Sequence, residues 1–80
     1  MRLTVFKKLN MRQQASCLCQ QGHFLAERKQ DSFRLQLYAL GDFYAEIWRV
    51  HDQEHILFIH LFQHPAGLVP YLEKITLPEV

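Results

Sequence analysis

The stretch FRLQLYALGDFYAEIWRV, running from Phe33 to Val50, decides how this chain folds. Phe33, Leu35 and Leu37 alternate with Arg34, Gln36 and Tyr38, the two-residue period of a strand with one buried face. Gly41-Asp42 supplies a tight hairpin turn, and residues 43–50 resume as a second strand. The turn's length fixes which side chains share a face. A three-residue loop over Ala39–Gly41 sets Leu37 opposite Phe43, Leu35 opposite Ala45 and Phe33 opposite Ile47. It also sets Arg34 against Glu46, a favourable cross-strand charge pair. A two-residue loop places Glu46 beside Leu37, so the three-residue register is the expected one.

Working outward, HFLAERK (23–29) reads as a strand. Its consecutive Glu27, Arg28 and Lys29 suit an exposed sheet edge that resists further pairing. Gln30–Ser32 read as a turn. HILFIHLF (55–62) follows a polar turn at Asp52–Glu54 and is apolar on both faces. A three-residue turn there pairs Trp48 with Phe58, Glu46 with His60, Tyr44 with Phe62, and Ile47 with Ile59. Residues 4–21 read as a helix with Thr4 as N-cap and Gly22 as a left-handed C-cap. The periodicity weakens at Asn10, which leaves open a helix start nearer Met11 with residues 1–10 loosely ordered. His64-Pro65-Ala66-Gly67 ends the sheet, and Pro70 opens a short helix to Ile75 that buries Leu72 and Ile75.

The expected fold is therefore one α+β domain over residues 1–80. An N-terminal helix precedes a four-stranded antiparallel meander and a short C-terminal helix, with the helices on one face of the sheet. That arrangement leaves an opposite face carrying Tyr38, Tyr44, Trp48, Phe58 and Phe62 with Arg34, Glu46 and His60. An uncovered aromatic face of this kind marks an interaction surface, and Trp, Tyr and Arg dominate binding energetics. Eighty residues also make a thin core, which raises the value of a second subunit. The expected partner is a second copy of the chain, with another protein as the alternative.

Composition narrows the function classes. Apolar residues make up 49% of the chain, too many for a disordered segment. Nine Lys and Arg against eight Asp and Glu argue against nucleic acid as the main partner. The basic run Arg2, Lys7, Lys8 and Arg12 reads as a solvated helix start. It lacks the apolar block of a secretory signal, and no run reaches the ~20 apolar residues of a membrane span. Two cysteines are too few for a disulfide scaffold, so the expectation is a cytoplasmic protein with free thiols. Cys17 and Cys19 fall on different sides of a helix and cannot share a metal with His23.

Two constellations could carry chemistry. His60 opposite Glu46 resembles the imidazole–carboxylate pair of a general base, but no nucleophile or oxyanion donor accompanies it. His51 and His55 flank a turn beside Asp52 and Glu54, a weak surface-metal arrangement without tight zinc spacing. No cofactor motif is present, and the three glycines form no phosphate loop.

The meander from Phe33, with Gly41-Asp42-Phe43, Arg49-Val50 and His64, resembles the central sheet of RelE/ParE-type toxins. That resemblance implies a protein that acts on RNA or binds an antitoxin. Tyr44 stands where those toxins carry a basic residue, and no arginine follows His64. Gly22 to Ile75, with FYAEIW and PYLEKI, is also similar to small uncharacterised bacterial α+β proteins, a resemblance that implies architecture and no activity. Three function classes follow. The first is a non-enzymatic homodimeric binding or adaptor module working through the aromatic face. The second is a degraded toxin-type protein, and the third a small enzyme using His60 and Glu46.

Overall fold

The structure is a computed structural model that describes residues 1–71. Its elements run α1 (Leu3–Phe6), α2 (Met11–Gln21), β1 (His23–Gln30), β2 (Phe33–Leu40), β3 (Phe43–Val50), β4 (Ile56–Phe62) and a 3-10 helix (Pro65–Tyr71). The strands form one antiparallel sheet in the order β1-β2-β3-β4, the expected meander. The expected helical burial of Leu72 and Ile75 lies outside the described residues.

The N-terminal helix divides at Lys7–Asn10, and the physical reason is Asn10. Its side chain accepts from the Gln13 N–H at 2.8 Å while the Gln13 side chain accepts from the Asn10 N–H at 3.0 Å. This reciprocal capping box starts α2 at Met11, satisfying two donors that a helix start otherwise leaves open. Thr4 is inside α1, not its cap. Asp42 instead reaches from the hairpin tip, and its Oδ1 accepts from the Leu3 N–H at 3.1 Å. Gly22 ends α2 in extended geometry (φ −74°, ψ 155°), not the left-handed cap. Glycine is needed there for space, since a Cβ would sit 2.6 Å from the Leu18 carbonyl oxygen.

The β2–β3 register differs from the expected one. Leu40 pairs directly with Phe43, so Gly41-Asp42 is a two-residue turn with Gly41 at φ +58°. Leu37 then lies opposite Glu46, Leu35 opposite Trp48, and Arg34 opposite Arg49. The register that sets Glu46 beside Leu37, unfavourable by pairwise charge, is the one formed. Partners from β1 and from the 3-10 helix satisfy Glu46, as described below. The β3–β4 register is the expected one: Tyr44 with Phe62, Glu46 with His60, Ile47 with Ile59, Trp48 with Phe58. A bulge at Leu57 then pairs Arg49 with Ile56.

Strand alternation now defines two faces. The first carries Tyr38, Leu40, Phe43, Ala45, Ile47, Ile59 and Leu61, and α1 and α2 cover it through Phe6, Cys17 and Leu18. Phe6 and Leu18 are fully buried there. The second face carries Leu35, Leu37, Tyr44, Glu46, Trp48, Phe58 and Phe62. The 3-10 helix seats on this second face, where Leu68 and Tyr71 join Ala26 and Leu37. The described helical elements thus sit on opposite sides of the sheet, not on one, because the β2 shift turns Leu37 to the face where Leu68 and Tyr71 pack.

Candidate interaction face

Glu46 organises the second face. It is 6% exposed, the one charged residue among the buried set of the described chain. An unpaired carboxylate there would be costly, so its partners decide whether the face is stable. The Trp48 indole N–H donates to Oε1 at 2.9 Å. The Tyr71 hydroxyl donates to Oε2. Arg28 reaches across from β1, with Nη2 3.6 Å from Oε2 and its guanidinium 5.1 Å above the Tyr71 ring. Arg28 also donates through Nη1 to Gln30 Oε1 at 2.7 Å. Burial, and secondly the bond to Glu46, push the Tyr71 phenol well above its ordinary value of 10.0.

This network changes the reading of Glu46 and His60. The strands do bring them opposite each other. Glu46 nevertheless directs its oxygens to Trp48, Tyr71 and Arg28, while His60 is exposed and lies 5.6 Å from the Phe62 ring in a stacked pose. The carboxylate is held inside the fold by these partners. His51 pairs with Asp52 at 3.3 Å and His55 is exposed. Among the described residues, no group of three His, Cys, Asp or Glu side chains comes together to hold a metal. His64 Nδ1 accepts from the Ala66 N–H at 3.0 Å, closing the turn before the 3-10 helix. Cys17 is buried and Cys19 exposed, as their helical spacing requires.

Six of the eight residues expected on the open face share the second face: Tyr44, Glu46, Trp48, Phe58, His60 and Phe62. Trp48 stacks on Phe58 at 5.0 Å and Tyr44 on Phe62 at 5.3 Å, both cross-strand pairs set by the β3–β4 register. The other two, Tyr38 and Arg34, are on the opposite face, carried there by the β2 shift. Tyr38 packs beside the helix-covered core and meets Phe24 edge-on at 5.5 Å. Burial raises its phenol pKa, aided by Cys19 and Glu27 and opposed by Arg49. Arg34 pairs with Glu27 at 3.6 Å and Glu54 at 3.9 Å. Phe33 takes the vacated place, meeting Trp48 edge-on at 5.6 Å.

The second face is covered unevenly. The 3-10 helix packs on Tyr44 and Phe62, and Gly67 passes so near the Phe62 ring that a Cβ would overlap it. Beyond that element, Trp48 and Phe33 are half-buried and Phe58 is 46% exposed. Sequence reasoning missed the Arg28–Glu46–Tyr71 cluster. The available signal was a lone carboxylate inside the apolar strand 43–50, which demands donors from elsewhere in the fold.

No family model, curated protein or solved structure matches this chain. No helix among the described residues is long and apolar enough to cross a membrane.

Proposed function

We propose that the protein is a non-enzymatic homodimeric binding module that works through the open aromatic half of its sheet, centred on Trp48, Phe58 and Phe33. The observation that carries this reading is the uneven cover. Among the described residues, the 3-10 helix shields Tyr44 and Phe62, while the stacked Trp48–Phe58 pair and its Phe33 neighbour are left open. Stacked rings held by neighbouring strands lose little side-chain entropy on association, which favours them as contact anchors. The buried charge nearby is fully engaged and leaves no reactive carboxylate beside His60.

Trp48 is the chain's single tryptophan and reports on this surface directly. Its emission should shift to the red on dilution where sedimentation shows the dimer separating. Phe58→Glu should sediment as a monomer at every concentration with the folded circular dichroism spectrum retained. A wild type that stays monomeric throughout, or a folded Phe58→Glu that stays dimeric, overturns the reading.

A further inference from the structure

Among the described residues, the sheet has two edges without a neighbouring strand, and they differ in kind. β1 carries Glu27, Arg28 and Lys29 in succession and a bulge at Leu25, devices that discourage edge pairing. β4 carries neither Lys, Arg, Asp, Glu nor Pro, and after its bulge at Leu57 runs regularly from Phe58 to Phe62. Its main-chain groups can be assigned. Leu40 and Phe43 flank a two-residue turn and exchange hydrogen bonds as the closing pair. The His51 N–H donating to the Ser32 carbonyl at 2.7 Å continues the same alternation. Residues 43, 45, 47 and 49 therefore bond toward β2, and 44, 46 and 48 toward β4. On β4, Phe58, His60 and Phe62 bond inward, which turns the N–H and C=O of Ile59 and Leu61 outward at the free edge.

We infer that two copies join edge to edge through β4, antiparallel about a two-fold axis at His60, into one continuous eight-stranded sheet. This rests on the homodimeric reading above and places its seam at the β4 rim of the open rings: Phe58 meets the partner directly, Trp48 stands behind it, and Phe33 on β2 stays clear. An uncharged edge matches another uncharged edge, and the charged β1 edge of a second copy does not offer one. The register follows from two requirements that agree. Centring on His60 overlaps the whole regular run and pairs Ile59 with the partner's Leu61, so both outward-facing residues find partners. The same register sets Phe58 beside the partner's Phe62. The stacked pairs Trp48–Phe58 and Tyr44–Phe62 then continue across the seam, as Trp48, Phe58 and the partner's Phe62 and Tyr44, and again in the reverse order. Centring on Ile59 would set Phe58 against an imidazole instead and break both rows. The two His60 side chains face one another as a non-hydrogen-bonded pair, whose Cα atoms stand about 4.5 Å apart in antiparallel sheets.

That separation lies within the range a disulfide spans. The test uses the full chain with Cys17→Ala and Cys19→Ser. In this background His60→Cys should form a covalent dimer on mild oxidation, and Ile59→Cys, which faces the partner's Leu61, should not. Leu61→Pro removes an outward N–H at an edge position where proline is tolerated. It should keep the folded circular dichroism spectrum and sediment as a monomer at concentrations where wild type is a dimer. A wild-type dimer that fails to cross-link through Cys at position 60 and persists in folded Leu61→Pro overturns the seam while leaving the dimer standing. A wild type that is monomeric throughout overturns both.

Discussion

Replacing Tyr71 by Phe isolates the hydroxyl that ties the 3-10 helix to the sheet. Tyr71 is fully buried, and its ring fills space among Ala26, Leu37 and Leu68 that Phe fills equally well. The loss is then confined to the hydrogen bond on Glu46 Oε2. A bond to a charged acceptor contributes about 1.5–3 kcal/mol. Arg28 at 3.6 Å and Trp48 at 2.9 Å still hold the carboxylate, which argues for the lower part of that range, about 2 kcal/mol. For a chain this short the urea dependence is about 1 kcal/mol per molar, so the midpoint should fall by about 2 M. The melting temperature should fall by about 8–16 °C. Urea titrations followed by circular dichroism measure the shift. In a Glu46→Gln background the same substitution should matter less, because a neutral acceptor gives a weaker bond. A midpoint that moves by less than about 0.5 M in Tyr71→Phe would refute the claim that this hydroxyl holds the helix, since that is the scale of ordinary surface changes.

Alkaline pH gives an independent view of the same group. The folded chain raises the Tyr71 phenol above 10.0, so the unfolded chain releases that proton first as pH rises. The stabilisation is fully present below pH 10 and declines above it, and Tyr71→Phe should flatten the fall in urea midpoint over that window. Asn10→Ala removes half of the capping box that starts α2 and should cost about 1 kcal/mol by the same titration. Gly41→Ala places a Cβ on a residue at φ +58° and onto the Met1 backbone. It should destabilise by more than about 1 kcal/mol, and faster amide exchange at Leu3–Phe6 would show the N-terminus detaching from the hairpin tip.

The strands were legible because alternation and turn residues speak locally. Residues 43–50 and the Trp48–Phe58 and Tyr44–Phe62 pairs follow from side-chain period and turn spacing alone. The β2–β3 register was not legible from local pairing. Choosing it by the charge of Glu46 treated that carboxylate as needing a nearby cation on the next strand. Its donors are instead Trp48 on its own strand and Tyr71, 25 residues further along the chain, with Arg28, two strands away, as its ion-pair partner. Moving one strand by an odd number of positions exchanged Tyr38 and Arg34 for Phe33 and Leu35 and left the rest of the aromatic set intact. The break between α1 and α2 was signalled at Asn10, whereas the Asp42 bond to Leu3 joins two distant turns and leaves no mark in sequence spacing.

Sedimentation equilibrium of wild type beside Phe58→Glu, across a wide concentration range, bears most directly on whether the open rings serve a second copy. The account predicts a reversible dimer in the wild type and a folded monomer in the variant. Two superimposable monomers, each with the mass of a single 9.6 kDa chain at every concentration, would contradict it.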